Sequence, residues 1–269
     1  MAHEPRIAER LEFAVEIARA AGELTLQYFR RNDLEIERKA DASPVTIADR
    51  EAELLLRNRI MERFGDDAIL GEEFGSRDGT TGFQWVLDPI DGTKSFIHGV
   101  PLYTNLVAVL FEDLPRIGVI NAPATGETVY AAKGSGCWYT SAANALPVKA
   151  QVSKVSRLED GLLLTSELEG FRRHKRGDSM NAFLGLLSAA RIGRTWGDGY
   201  GYMMIATGRA EVMIDPLMNL WDAAPLQTIV EEAGGTFTDW NGTPTIQAGE
   251  AIATNGLVKD EVLRCLQRQ

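Results

Sequence analysis

The strongest constraint in this chain is an apolar run that ends in acid. Phe83-Gln84-Trp85-Val86-Leu87 reads as a short strand, and it leads directly into Asp88-Pro89-Ile90-Asp91-Gly92-Thr93. The spacing D-x-x-D in a turn can aim both carboxylates into one pocket, because the intervening proline stiffens the backbone. Gly92 permits close approach of a ligand, free N–H groups after the turn can cradle a phosphate, and Thr93 adds a hydroxyl able to position a water.

Further acids stand elsewhere: Asp49, Gly71-Glu72-Glu73 upstream and Trp221-Asp222-Ala223-Ala224 downstream. Carboxylates gathered in one place raise each other's pKa unless cations neutralise them. Hard divalent cations take oxygen ligands, and Mg²⁺ prefers a few carboxylates, waters and a substrate phosphate. Two such ions about 3.5–4 Å apart could clamp the attacking and leaving oxygens of phosphoryl transfer, with Asp88 well placed to bridge. Each element has a plainer reading. A D-x-x-D can be a solvated turn, Glu72-Glu73 an exposed pair, and Asp222 a cap for the helix it opens. Asp49 in a first helical turn suits the macrodipole without any catalytic role.

The balance of 28 Lys and Arg against 38 Asp and Glu, a net charge of -10, opposes a broad nucleic-acid or anionic-membrane surface. At 269 residues, with 45% hydrophobic and 25% charged content, the chain reads as a soluble globular protein. Cys137 and Cys265 form neither CxxC nor a disulfide framework, which fits a reducing compartment. With no apolar stretch of membrane length and no signal-peptide core, the expected location is the cytoplasm.

Periodicity predicts helices over Arg6 to Asn32 and Ile47 to Phe64, the second started by Pro44 and Thr46 with Asp49 in its first turn. Ala68-Ile69-Leu70 is a short strand delivering Glu72 and Glu73. Leu106 to Leu110, Ile117 to Ile120 and Thr128 to Ala131 read as an antiparallel meander. A small polar stretch from Ser141 to Asn144 suggests a boundary between domains at 1–143 and 144–269. Beyond it strands (Leu162-Leu163-Leu164, Glu211 to Ile214, Thr236-Phe237-Thr238, Ala251-Ile252-Ala253) alternate with helices around Asn181 to Ala190, Gly201 to Thr207, Asp222 to Ala233 and Val258 to Leu266. That alternation argues α/β layering.

The ordered set Asp49, Gly71-Glu72-Glu73, Asp88-Pro89-Ile90-Asp91-Gly92-Thr93 and Trp221-Asp222-Ala223-Ala224 resembles the inositol monophosphatase family of lithium-sensitive Mg²⁺ phosphomonoesterases. The later Ala206-Thr207-Gly208 and Glu232-Ala233-Gly234-Gly235 blocks fit as well, so the resemblance spans about Ile7 to Leu263. It implies a layered αβαβα sandwich, an N-terminal α+β half with most metal ligands, and a C-terminal α/β half with Asp222 and the substrate contacts. It also implies two or three Mg²⁺ ions. Glu72, Asp88 and the carbonyl of Ile90 would hold the first, and Asp88, Asp91 and Asp222 the second, while Glu72 would also reach a third, weaker ion. Thr93 and Glu72, with Asp49 behind them through Thr46, would position the attacking water. The N–H groups of Gly92 and Thr93 would take phosphate oxygens, with Glu73 supporting from behind. The resemblance implies a homodimer too.

Within that family, Arg194-Thr195-Trp196-Gly197-Asp198-Gly199-Tyr200-Gly201-Tyr202 and Thr238-Asp239-Trp240-Asn241-Gly242 resemble the histidinol-phosphate phosphatase branch. Inositol phosphatases usually carry a small residue where this chain has Asp198. A carboxylate there suits a substrate whose amine and imidazole can be cationic. Asp215 falls at the family's acidic substrate contact, and Arg194 near the phosphate or ordering the site. Asp198 could instead cap the helix beginning near Gly199. The expected substrate is L-histidinol phosphate, a small phosphate monoester. The alternatives are an inositol-1-monophosphatase, a nucleotide-bisphosphate phosphatase, or a catalytically silent metal-binding regulator. His98 and the basic run Arg172-Arg173-His174-Lys175-Arg176 read as loop residues, and Asn241-Gly242 as a hairpin turn.

Overall fold

A computed structural model describes residues 4–39 and 43–267. The chain opens with α1 (Glu4–Leu26), a two-stranded ribbon of β1 (Ile36–Arg38) and β2 (Pro44–Thr46), and α2 (Ile47–Phe64). Then come β3 (Ala68–Gly71), β4 (Gly75–Arg77), β5 (Phe83–Asp91), the short α3 (Thr93–Ile97), β6 (Thr104–Phe111), β7 (Leu114–Ala122), β8 (Glu127–Ala132), β9 (Cys137–Ser141) and β10 (Asn144–Lys149). These form an eight-stranded sheet in the order β10-β9-β8-β7-β6-β5-β3-β4, antiparallel except where β3 lies parallel to β5.

The second half comprises β11 (Leu162–Leu164), α4 (Glu169–Arg173), α5 (Ser179–Ala189), β12 (Ile192–Arg194), α6 (Asp198–Ala206) and β13 (Val212–Asp215). It continues with α7 (Leu220–Glu232), β14 (Thr236–Thr238), β15 (Ala251–Thr254) and α8 (Lys259–Gln267). Its strands make a five-stranded sheet in the order β12-β11-β13-β15-β14.

Alternation along the strands builds the layers. Trp85, Leu87, Val107, Val109, Ile117 and Val119 face one way and pack with Phe13, Ile17, Leu56 and Ile60 of α1 and α2. Val86, Leu106, Ala108 and Ile120 face the other way, onto Tyr202 and Ile205 of α6 and Leu226 and Ile229 of α7. Those helices rest in turn on Leu164, Met213, Ala251 and Ala253 of the second sheet. The far face of that sheet, with Leu163, Val212, Ile214 and Ile252, is covered by Phe171, Phe183, Leu186 and Val262. The result is the αβαβα sandwich.

Several expectations need correction. The first helix stops at Leu26 rather than Asn32: the next bonds tighten to Gln27 on Leu24 and Tyr28 on Thr25, and Arg30 turns left-handed at φ 63, with Phe29 packed 5.7 Å from Phe96 and 5.1 Å from Tyr103, centroid to centroid. The stretch Ser141 to Asn144 joins two antiparallel strands, β9 and β10, so a boundary at residue 143 falls inside a hairpin. The chain leaves the first sheet only after Lys149. Asn241-Gly242 does turn, with Gly242 at φ 86 and Asp239 closing the loop, but it sits early in a connection running to β15 rather than at a tight hairpin. No helix among the described residues is long and apolar enough to cross a membrane.

Candidate active site

The segment expected to be a turn is the end of a strand. β5 continues through Asp91, and its ladder with β6 pairs Asp88 with Leu106 and Asp91 with Thr104. Three steps on β5 therefore oppose two on β6, which is a bulge of one residue. In a regular strand, residues three apart face opposite sides. The extra residue turns Asp91 to the side of Asp88, so both look towards α6 and α7. Pro89, which has no N–H to lose, sits in the bulge, and its carbonyl accepts Asn105 Nδ2 at 2.6 Å. Only at Gly92, with φ 82, does the chain turn into α3.

Four helix starts and the end of β3 close on that bulge. β3 runs parallel to β5 and brings Glu72 alongside, its N–H bonded to the Leu87 carbonyl at 3.2 Å. The start of α7 brings Asp222, at the third helical position, whose Oδ2 accepts the N–H of the N-cap Asn219 at 2.7 Å. Carboxylate oxygens of Asp88, Asp91 and Asp222 all lie within 4.8 Å of one another. The start of α6 supplies the Gly199 N–H, which donates to Asp91 Oδ2 at 2.5 Å, and the Thr104 hydroxyl donates to the same oxygen at 2.7 Å. At α2, Thr46 is the N-cap, and both its N–H (2.8 Å) and its hydroxyl (2.6 Å) donate to Asp49 Oδ2. Thr93 begins α3, and its hydroxyl donates to the Ile90 carbonyl at 3.0 Å.

The electrostatics are those of an acid cluster partly withdrawn from water, with Asp88 buried and Asp91 and Asp222 part-buried. Burial first, then the charges of Glu72, Asp91 and Asp222, raise the Asp88 pKa well above the carboxylate range. Asp91 is raised likewise by burial, then by Asp198 and Asp222. Burial pushes Asp222 up to about 7 and Asp49 to about 6. One cation already attends the cluster, since Lys39 Nζ lies 2.6 Å from both Glu72 Oε1 and Glu73 Oε1. Burial alone would depress that lysine, but the two ion pairs outweigh it and raise its pKa.

The cleft encloses about 290 Å³ and is lined by Glu72, Asp88, Ile90, Asp91, Gly92, Thr93, Asp198, Asp215 and Asp222, all anticipated from the sequence. Thr46 and Asp49 stand behind this lining, as does Glu73, whose N–H is held by Glu53 at 2.7 Å. Arg194 does not reach the cleft. It lies exposed at the end of the edge strand β12, donates to its neighbour's Gly193 carbonyl and stacks over Trp196. Asp198 does not cap α6 with its side chain. Gly197 is the N-cap, and Asp198 sits at φ 54, a left-handed conformation strained for a non-glycine residue. Its N–H donates to Ser166 Oγ at 2.9 Å. Asp215 is buried, accepting the Ser166 N–H at 3.1 Å and the Tyr202 hydroxyl at 3.0 Å. Burial raises Asp198 and Asp215 to about 6.

The chain matches the model of the inositol monophosphatase family over residues 7–269. It belongs to that family. Among its relatives it is 43% identical over 244 residues to a histidinol-phosphatase of Chlorobaculum parvum, with 91% of each chain covered. It is 40% identical to a histidinol-phosphatase of Mycobacterium tuberculosis, covering 94% of this chain and 96% of that one. Among solved structures, the Thermotoga maritima IMPase superposes with a TM-score of 0.84 at 29% identity, over 96% of both chains.

The inositol monophosphatase family motifs identified the acids, but sequence reading missed Lys39, Lys94, Ser166, Glu167 and Tyr202. Ser166 and Glu167 lie just past Thr165 at the carboxyl end of the apolar β11, and that position was the available signal. His98 is exposed, with its Nδ1 against the Lys94 carbonyl at 2.8 Å. In the basic run, His174 departs from a solvated loop: it is buried, stacked on Trp240 and paired with Glu250 at 2.6 Å.

Proposed function

We propose that the protein is a Mg²⁺-dependent phosphomonoesterase that hydrolyses L-histidinol phosphate to L-histidinol and phosphate. The observation that carries this reading is one cleft that holds two sets of acids. Asp88, Asp91 and Asp222 gather within 4.8 Å beside Glu72, and Asp198, close against Gly92, and Asp215 line the same cleft. The first group fits a hard cation. These are oxygen donors only, Asp88 is buried and the others part-buried, and beyond Lys39 at Glu72 their mutual repulsion is relieved by protonation or by a bound cation.

Glu72, Asp88 and the Ile90 carbonyl would hold one ion, Asp88, Asp91 and Asp222 a second, and Glu72 a weaker third. The Ile90 carbonyl has two lone pairs, so accepting from Thr93 leaves one for a metal. When bound, Mg²⁺ would lower the pKa of a coordinated water and offset charge on the phosphoryl oxygens. Thr93 Oγ1, fixed on the Ile90 carbonyl, and Glu72 orient the attacking water. Asp49, holding Thr46, supports them from the start of α2. The N–H groups of Gly92 and Thr93 take phosphate oxygens, and Asp198 and Asp215 face the cationic amine and imidazole of the substrate. Asp215 holds the Ser166 N–H on one oxygen and the Tyr202 hydroxyl on the other, and the remaining lone pairs are left for the substrate's cation. Water attacks phosphorus directly, without a phosphoenzyme and without a catalytic histidine. Asp198 is kept in a strained backbone conformation without capping its helix, which supports a substrate role for it.

We place the enzyme in the cytoplasm as a homodimer acting in histidine biosynthesis. Light scattering at micromolar concentration checks the dimer. The substrate test is a side-by-side panel. L-histidinol phosphate should be turned over with kcat/KM well above that for myo-inositol 1-phosphate, and only with Mg²⁺. Parity or the reverse order overturns the substrate, while absence of phosphate release with either ester overturns the activity.

A further inference from the structure

We infer that Lys94 and Glu167 form an ion pair across the mouth of the cleft that a zwitterionic phosphate ester exchanges for two contacts of its own, which makes Glu167 a specificity-determining residue. The inference rests on the phosphomonoesterase reading above and deepens it.

Lys94 follows Thr93 on α3, from the first half of the chain, and Glu167 follows Ser166 after β11, from the second, and both line the cleft. Lys94 Nζ donates to Glu167 Oε2, and Arg173 Nη2 donates to Glu167 Oε1 at 3.2 Å. Both cleft partners line the cavity, yet their side chains remain 62% and 35% exposed. An ion pair so open to water contributes only about 0–1 kcal/mol, so separating it costs little. Glu167 is nevertheless well placed, because Ser166 beside it is bonded to both Asp215 and Asp198. Its charge reaches both of those carboxylates.

An ester with a phosphate at one end and an ammonium at the other can satisfy both partners. Lys94 swings to the phosphate beside Thr93, and Glu167 receives the ammonium next to Asp198. One exposed pair becomes two charge-assisted contacts in a less hydrated place. A neutral polyol phosphate satisfies Lys94 alone and leaves Glu167 with only the exposed Arg173 to offset its repulsion of Asp198 and Asp215. The exchange is thus a charge filter, built from a contact that the free enzyme keeps closed.

The test is steady-state kinetics of Glu167→Gln at saturating Mg²⁺. For L-histidinol phosphate, KM should rise about tenfold, the worth of one charge-assisted contact, while kcat stays within about twofold. For myo-inositol 1-phosphate, KM should fall, because Lys94 is released and the repulsion is removed. A parallel loss with both esters, or no change with either, overturns the inference. Lys94→Met should raise KM for both esters, and an unchanged KM would also overturn it. If the wild type shows no preference for L-histidinol phosphate, the substrate reading fails separately. The filter is then measured with O-phosphoethanolamine against glycerol 2-phosphate, where an unaltered preference in Glu167→Gln refutes it and a collapsed one supports it.

Discussion

Replacing Gly199 by alanine should damage the proposed metal site from behind while leaving every acid in place. Gly199 is the second residue of α6, and its N–H holds Asp91 Oδ2 at 2.5 Å. An ideal Cβ there would lie 2.5 Å from Thr104 Oγ1, 2.8 Å from Asp91 Oδ2 and 2.9 Å from Leu106 Cδ2. None of these can simply rotate away. Thr104 and Leu106 are buried on β6, and the Thr104 hydroxyl is itself bonded to Asp91. The helix start must therefore retreat. Overpacking of this kind costs about 1–3 kcal/mol. At roughly 2–4 °C per kcal/mol for a chain of this size, Tm should fall by roughly 2–12 °C. The larger effect should be on activity, since a shift of about 1 Å near reacting groups can cost about 100-fold. The assay pairs thermal unfolding, followed by circular dichroism with Mg²⁺ and with EDTA, with a Mg²⁺ titration of phosphate release. Gly199→Ala should need more Mg²⁺ for half-maximal activity and gain less Tm from it. Gly177→Ala is the control: a Cβ there meets nothing within 4 Å, and its Tm should change little. Wild-type Tm and Mg²⁺ dependence in Gly199→Ala would refute the packing argument.

Asp91→Asn should leave the circular dichroism spectrum intact and lower kcat by orders of magnitude, because the ligand set loses a charge; near-normal turnover contradicts the role assigned to Asp91. In EDTA, Tm should fall as pH rises from about 4 towards 8. Asp49, Asp198 and Asp215 are pushed up to about 6, and Asp222 and Glu73 to about 7, so the folded chain holds protons that the unfolded chain has released. Mg²⁺ should flatten that slope, and an equally steep slope with the metal argues against carboxylate neutralisation. Thr46→Ala should cost about 1 kcal/mol, the worth of an N-cap, with a loss of kcat that Thr46→Ser restores. Failure of serine to restore it points to packing instead. Asp198→Asn should lower kcat/KM for L-histidinol phosphate more than for myo-inositol 1-phosphate, and an equal loss would remove it from substrate selection.

The layers were legible because burial follows periodicity. Val86 and Trp85 had to face opposite ways, and α2 begins and ends where its helical pattern does. The acids were legible because their motifs are local. What escaped the sequence was set by distant pairing. The bulge that aligns Asp88 with Asp91 exists only against Leu106 and Thr104 on β6, so a local reading took it for a turn. Likewise the small residues at Ser141 to Asn144 carry the same signal whether they divide two domains or turn a hairpin. Arg194 was misjudged because its strand lies at a sheet edge, where a guanidinium can simply face water. Lys94, Ser166 and Glu167 are ordinary in sequence and acquire meaning only across the cleft.

The bonds that hold Asp49, Asp91 and Asp222 have a consequence for judging descendants of this fold. Each of these acids also secures the first turn of a helix: Asp49 that of α2, Asp222 that of α7, and Asp91, across the gap, that of α6. A lineage that abandoned hydrolysis would still be under pressure to retain all three for architectural reasons. Glu72 anchors no helix and Asp88 holds only the Ile90 N–H of its own bulge, at 3.1 Å, so these are the positions least tied to the architecture once turnover stops mattering, and the ones to inspect before crediting a distant homologue with activity.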